Sequence, residues 1–296
     1  MTASWRNVMR DGLEVLEVET AAARAAIAVQ GAQVLSFAPR GERDWLWVSE
    51  RARWAPGTAL RGGIPICFPW FGPHPTDKTL PAHGFARTRD WRLVAVREVD
   101  GGMRIELGLT ADERTLALFP HRFEARLVVT VARELTLAFE VSNPGGAPLP
   151  FEVALHGYLA VADLDAVTIE GLAGRAFADK VAGGAEGRQG PAPLRVAGEV
   201  DRVYENDGPV TLVDPIGRRR LRVETSGAGS TVVWNPAPAK TAALDDMAPD
   251  GFRRFVCIEP GAIGPRRVTL APGGWHRLTV RYGVAAAAAP APPGRR

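Results

Sequence analysis

An all-β fold, an antiparallel β-sandwich, is predicted by three observations. Short segments rich in Val, Ile, Leu and Phe, roughly alternating in polarity, recur along the chain. Turn signals such as Asp100-Gly101-Gly102, Asn143-Pro144-Gly145-Gly146, Asp214-Pro215 and Pro272-Gly273-Gly274 separate them. Helical stretches are few, and nothing resembles alternating βαβ units, a P-loop or a GxGxxG turn, so a parallel nucleotide-binding sheet is disfavoured.

Taken in order, the strand-like runs are Leu13 to Val18, Val34 to Ala38, Arg92 to Val99, Met103 to Leu109, Phe123 to Val131 and Glu134 to Val141. The texture returns in Val167 to Ile169, Val210 to Val213, Arg220 to Thr225, Thr231 to Asn235, Arg254 to Ile258, Arg266 to Leu270 and Trp275 to Tyr282. Two stretches read differently. Asp112 to Leu118 predicts a short helix with Asp112 as its N-cap, and the alanine-rich Ala21 to Ala28 fits helix or strand.

A chain of 296 residues with 46% hydrophobic content can bury a sizeable core. No linker or internal repeat divides it, so one domain over residues 1–284 is expected. Residues 285–296, AAAAAPAPPGRR, are low-complexity alanine and proline expected to be a disordered tail. The net charge is +3, but acids and bases alternate, and lysine occurs only at positions 78, 180 and 240. The run Arg218-Arg219-Arg220 follows a turn and reads as the exposed start of a strand. No nucleic-acid partner is expected. Two cysteines, Cys67 and Cys257, are too few for a disulfide framework and lie in no zinc-binding spacing. With no apolar signal core and no run of eighteen apolar residues, the expectation is a cytoplasmic protein without a membrane partner.

The segment from Leu60 to Trp91, LRGGIPICFPWFGPHPTDKTLPAHGFARTRDW, has no helical or alternating period. Ordering so irregular a loop costs entropy, which marks it as a site builder. Gly62-Gly63 and Gly72 allow close backbone approach or positive φ, and Trp70 and Phe71 offer flat apolar surfaces. Arg61 and Arg87 are candidate anion ligands, with either one able instead to pair with a structural carboxylate. His83 sits in the same loop, where a ring nitrogen can meet a ligand.

Outside that loop, His156 interrupts an apolar run, FEVALHGYLAV, as a functional group or as a core histidine satisfied by hydrogen bonds. Glu259 follows the strand Arg254 to Ile258 and precedes Pro260-Gly261. There it either projects into a cleft as a base of raised pKa or faces solvent at a strand end. Asp201 and the pair Asp245-Asp246 are sugar-hydroxyl ligands or turn residues. No metal is expected, since HxH, HExxH and DxDxDG spacings are absent. No GxSxG marks a nucleophile.

The blocks LRGGIPICFPWFGP, LPAHGFAR, DERTLALFPHRFEARL, ALHGYLAVADL, ADKV, DRVY, VVWNP and DDMAPDGFRRFVCIEPGAI span roughly Leu60 to Ile263. In these the chain resembles the aldose 1-epimerase superfamily, and within it the hexose-6-phosphate mutarotases. The resemblance implies a large twisted β-sandwich of the galactose mutarotase type, and an isomerase interconverting the α and β anomers of a hexose 6-phosphate, D-glucose 6-phosphate first among them. It implies His156 as general acid and Glu259 as general base, Arg61 and Arg87 as phosphate ligands, and His83 and Asp201 as contacts to the sugar. The expected partner is a phosphorylated sugar, with no cofactor, and a monomer is expected. The family often has threonine where Gly157 stands and glutamine where Ala82 stands, which bears on substrate preference rather than reaction type. Two other readings are a mutarotase for unphosphorylated aldoses and a non-catalytic carbohydrate-binding sandwich.

Overall fold

The computed structural model of the chain describes residues 3–285. They form sheets of nine, eight, four and two strands. Two short α-helices, Glu113–Leu118 and Ala237–Thr241, lie between strands. Among the described residues no helix is long and apolar enough to cross a membrane. Of the expected tail only Ala285 is described, its N–H donating to the Arg220 carbonyl at 2.9 Å; residues 286–296 lie outside the described residues.

The nine-stranded sheet has one dry face. In strand Leu135–Ser142, the residues Leu135, Leu137, Phe139 and Val141 are buried and those between them half-buried, the period-two signature of a sheet covered on one side. The eight-stranded sheet is different. Its central strands Ser230–Asn235 and Phe255–Ala262 are buried at every position, because both faces are covered. Val233, Val256 and Ile258 pack with Leu137, Phe139, Leu278 and Val280 in the main core. The opposite face carries a smaller cluster of Tyr158, Val232, Trp234, Phe255 and Cys257. Alternation thus sorts each central strand into a core-facing half and a half that faces away from the core.

The irregular loop is anchored rather than free. Phe68 is fully buried, with ring centroids of Phe123 and Phe151 at 5.2 and 5.4 Å. Burying such a ring stabilises by about 1.5–3 kcal/mol, which offsets part of the cost of ordering the segment. Ile66–Cys67 makes a two-residue strand at the edge of the eight-stranded sheet. Gly62 and Gly63 have φ of +120° and +62°, and a Cβ on either would strike the backbone of Trp47 or Val34.

The helix predicted from Asp112 is present, closed by a capping box between Asp112 and Thr115. Ala21 to Ala28 resolves as strand Ala23–Ala28, since pairing on both sides with Leu13–Glu19 and Gln33–Pro39 overrides the helix propensity of alanine. The proline turn expected after Ile258 is absent. The strand runs on through Glu259 and Pro260 to Ala262.

Candidate active site

Register explains how residues far apart in sequence meet. Strands Val153–Leu155 and Gly157–Ala160 both pair antiparallel with Phe255–Ala262, Ala154 with Gly261 and Gly157 with Ile258, without a slip between them. His156 therefore stands opposite Glu259. A proline carries no N–H, so the ladder lacks one bond where Pro260 stands opposite Leu155, while the His156 amide, like those of Glu152 and Tyr158, points to the other side and donates to the Pro65 carbonyl at 2.9 Å. His156 Nε2 lies 3.3 Å from Glu259 Oε1, with side chains 8% and 1% exposed.

Alternation aims both at the face away from the core, alongside Ala154, Tyr158 and Cys257. Tyr158 stacks on the His156 ring at 4.8 Å, and Trp234 meets it edge-on at 5.8 Å. Burial pushes the Glu259 carboxyl well above its usual range and holds His156 well below its own. Both effects favour uncharged forms. His156 Nδ1 and Glu259 Oε2 have no protein partner.

The pair forms the floor of a cavity of about 370 Å³. Larger clefts of about 860 and 780 Å³ lie elsewhere on the protein, but neither includes His156, Glu259 or the loop residues. All six residues to which the resemblance assigns a role line the smaller cavity, Arg61, His83, Arg87, His156, Asp201 and Glu259, and of the pair Asp245-Asp246 only Asp246 joins them.

Each is held by local structure. Arg61 Nε reaches Asp246 Oδ2 at 3.1 Å, and its Nη1 donates to the Tyr158 hydroxyl at 3.3 Å. Burial works against the Arg61 charge, but Tyr158 and Asp246 more than offset it and raise the guanidinium pKa. The pairing with a carboxylate weighed from sequence is thus real, with Asp246 as the partner. Asp245 pairs instead with Arg53. Arg87, in the 3-10 turn Ala86–Thr88, donates from Nη2 to the Ala82 carbonyl at 2.8 Å. Asp201, on strand Val200–Glu205, lies 4.0 Å from Lys180 Nζ, and burial raises its pKa against the pull of that lysine.

His83 sits at φ +64°, a left-handed conformation uncommon for a side-chain-bearing residue. Burial, then the charges of Arg87, Lys180 and Arg61, lower its pKa to about 3, so the ring is neutral at pH 7. The Gly72 amide donates to its Nδ1 at 3.3 Å, which leaves the proton on Nε2 as a donor.

Sequence reasoning missed Lys180, Trp234 and the site role of Tyr158. Lys180 follows strand Ala176–Asp179 and is fastened by its amide to the Asp201 carbonyl at 2.8 Å. Its Nζ lies 4.5 Å from the centre of the Phe71 ring. Its charge has no local signature, although lysine is rare in this chain and lies within one of the quoted blocks. His74, a neighbour of His83 in sequence, instead turns its Nδ1 toward the Asp77 amide at 3.0 Å, away from the cavity. His276, in strand Trp275–Val284, is half-buried.

Comparison with known proteins adds a family to this geometry. The sequence model of the family described as aldose 1-epimerase matches residues 14–283. The "Putative glucose-6-phosphate 1-epimerase" of Salmonella typhimurium is 35% identical over 261 residues, covering 88% of this chain and 87% of that protein. The protein of the same name from Escherichia coli K12 is 35% identical over 252 residues, covering 84% and 83%. Among solved structures, the "putative mutarotase (YeaD)" of Salmonella typhimurium superposes with a TM-score of 0.89 at 33% identity, over 95% of this chain and 93% of that one.

Proposed function

The chain belongs to the aldose 1-epimerase family, and from that premise we propose that it interconverts the α and β anomers of a hexose 6-phosphate, D-glucose 6-phosphate being the substrate to test first. The observation that carries the reading is the His156–Glu259 pair at 3.3 Å, set in the floor of a cavity that also holds Arg61, Arg87 and Lys180.

Mutarotation needs one proton delivered to the ring oxygen and one taken from the C1 hydroxyl. Opening exposes a carbonyl, rotation about C1–C2 turns its other face, and closure reverses both transfers. Two groups sharing one mobile proton suffice. Burial favours that proton on Glu259 and leaves His156 neutral. With His156 as acid and Glu259 as base, the proton crosses to Nε2 when the sugar arrives and the pair separates onto its two oxygens. Each positioned group contributes roughly a hundredfold to ten-thousandfold.

The cations supply the anchor. Arg87 keeps most of its guanidinium donors free, and planar guanidinium groups grip phosphate oxygens in pairs. Arg61 is pre-set by Asp246 and offers its remaining donors. Lys180 adds a point charge beside Phe71. His83 Nε2–H and the Asp201 carboxylate suit sugar hydroxyls. An unphosphorylated aldose would offer no anion to the guanidinium donors that Arg87 leaves unused, which favours the phosphorylated substrate. The test is NMR exchange between the anomers of glucose 6-phosphate with and without the protein. Exchange no faster than in buffer overturns the proposal.

A further inference from the structure

His156, Cys257 and Glu259 bring one nitrogen, one sulfur and one oxygen ligand atom within 4.8 Å of one another, all three residues buried. Cys257 and Glu259 are two apart on one strand, so the pleat puts both on the face that His156 shares. No metal-binding spacing exists in the sequence because the set is assembled by register alone. From this geometry we infer that a thiophilic divalent cation, zinc fitting best, binds His156, Cys257 and Glu259 at the cavity floor and shuts off the proton-transfer pair.

The distances favour it. A tetrahedral zinc with bonds of about 2.0 Å to nitrogen and 2.1 Å to oxygen spaces those ligands about 3.4 Å apart. His156 Nε2 and Glu259 Oε1 stand 3.3 Å apart, longer than the ~2.7–2.9 Å of a charged hydrogen bond. Cys257 Sγ lies within 4.8 Å of both and must move toward them to take the third corner. Glu259 Oε2 is buried without a partner, an unmet acceptor in the same place. A set of N, S and O donors suits zinc over magnesium or calcium. His156 and Glu259 line the cavity, from which a fourth ligand would come.

Binding displaces the Cys257 thiol proton and the proton shared by His156 and Glu259, both leaving to solvent, so the cation binds more tightly as pH rises. It is inhibitory because the lone pairs that move protons become metal ligands. The inhibition rests on the pair being the proton carrier, whereas the metal site does not.

The test titrates zinc into the protein in chelator-free, thiol-free buffer while anomer exchange is followed by NMR. Exchange should fall at least tenfold at micromolar zinc, return on adding EDTA, and be protected by glucose 6-phosphate. Cys257→Ala should need at least tenfold more zinc, while Cys67→Ala keeps the original sensitivity. Cobalt should give a thiolate charge-transfer band in the near ultraviolet that Cys257→Ala abolishes. If that variant does not fold, Cys257→Ser serves, with the same loss of band. Equal zinc sensitivity in the Cys257 variant, a cobalt complex without the band, or faster exchange with zinc each overturns the inference. A full cobalt band with unchanged exchange would uphold the metal site and overturn His156 and Glu259 as proton carriers.

Discussion

His156 and Glu259 occupy one register position on neighbouring strands, next to the one where Pro260 stands opposite Leu155 and removes a ladder bond. Directly opposed residues on one face hold their Cβ atoms about 4.5–5.5 Å apart. Chemistry on the pair therefore depends on the backbone, and both side chains are expected to be indispensable. His156→Ala and Glu259→Gln should each slow anomer exchange of glucose 6-phosphate by roughly a hundredfold to ten-thousandfold. The double variant should be little slower than either single one, because the two act as a unit. Saturating rates by NMR, with circular dichroism to confirm folding, decide it. A single variant retaining most of the rate removes that residue from the pair.

The cations lead to a second expectation, a division between binding and turnover. Arg87→Ala removes charge-assisted bonds worth about 1.5–3 kcal/mol, so KM for glucose 6-phosphate should rise roughly tenfold to a hundredfold, with a smaller change in kcat. Lys180→Met should act in the same direction and more weakly, since its Nζ already lies near Asp201. Exchange of unphosphorylated glucose should change little in either variant. An unchanged KM for the phosphate ester in Arg87→Ala would discard its role.

How much of this was legible in the sequence depends on the range of the interaction. The alternation that defines Leu135–Ser142 is local, as is the Asp112 capping box, and both could be read directly. Strand Phe255–Ala262 could not be bounded, because Pro260 reads as a stop and only pairing with distant strands on both sides carries the strand past it. The loop residues Arg61, His83 and Arg87 stood out by composition. Their partners did not: Asp246 reaches Arg61, and Lys180 reaches the cavity, through folding that brings distant segments together.

Acid should weaken the fold through its buried histidines. His83 has a folded pKa of about 3 against an ordinary 6.5, so its contribution is complete above pH 6.5 and is lost as pH falls toward 3. Burial of His156 acts with the same sign. Glu259 acts oppositely, its raised pKa giving stability at low pH that is lost as pH rises through the folded value. One proton of difference changes stability by about 1.4 kcal/mol per pH unit, and less here because His83 keeps partial exposure at the cavity. Thermal unfolding across pH 4 to 7 should therefore show a shallower fall in Tm for His83→Asn than for the unaltered chain. Parallel curves would mean that His83 titrates normally.

Gly157 and Tyr282 settle what the departure from threonine means. A Cβ at position 157 would lie 2.8 Å from the Tyr282 hydroxyl and 3.2 Å from the Ile258 carbonyl. Residue 157 points into the main core, away from the cavity, so its identity reports packing across the sandwich rather than contact with substrate. The Tyr282 hydroxyl fills the space that a larger residue would take, and it is buried without a hydrogen-bond partner. Gly157→Thr should thus overpack the core and cost about 1–3 kcal/mol. Tyr282→Phe, which removes an unsatisfied polar group and vacates the space, should be neutral or slightly stabilising. Combining the two should recover much of the loss, a coupling expected of residues in contact. Denaturant unfolding of the four proteins measures it, while KM for glucose 6-phosphate should stay nearly constant across all of them. Additive losses would place the strain elsewhere, and a large change in KM would return Gly157 to the substrate side of the sheet.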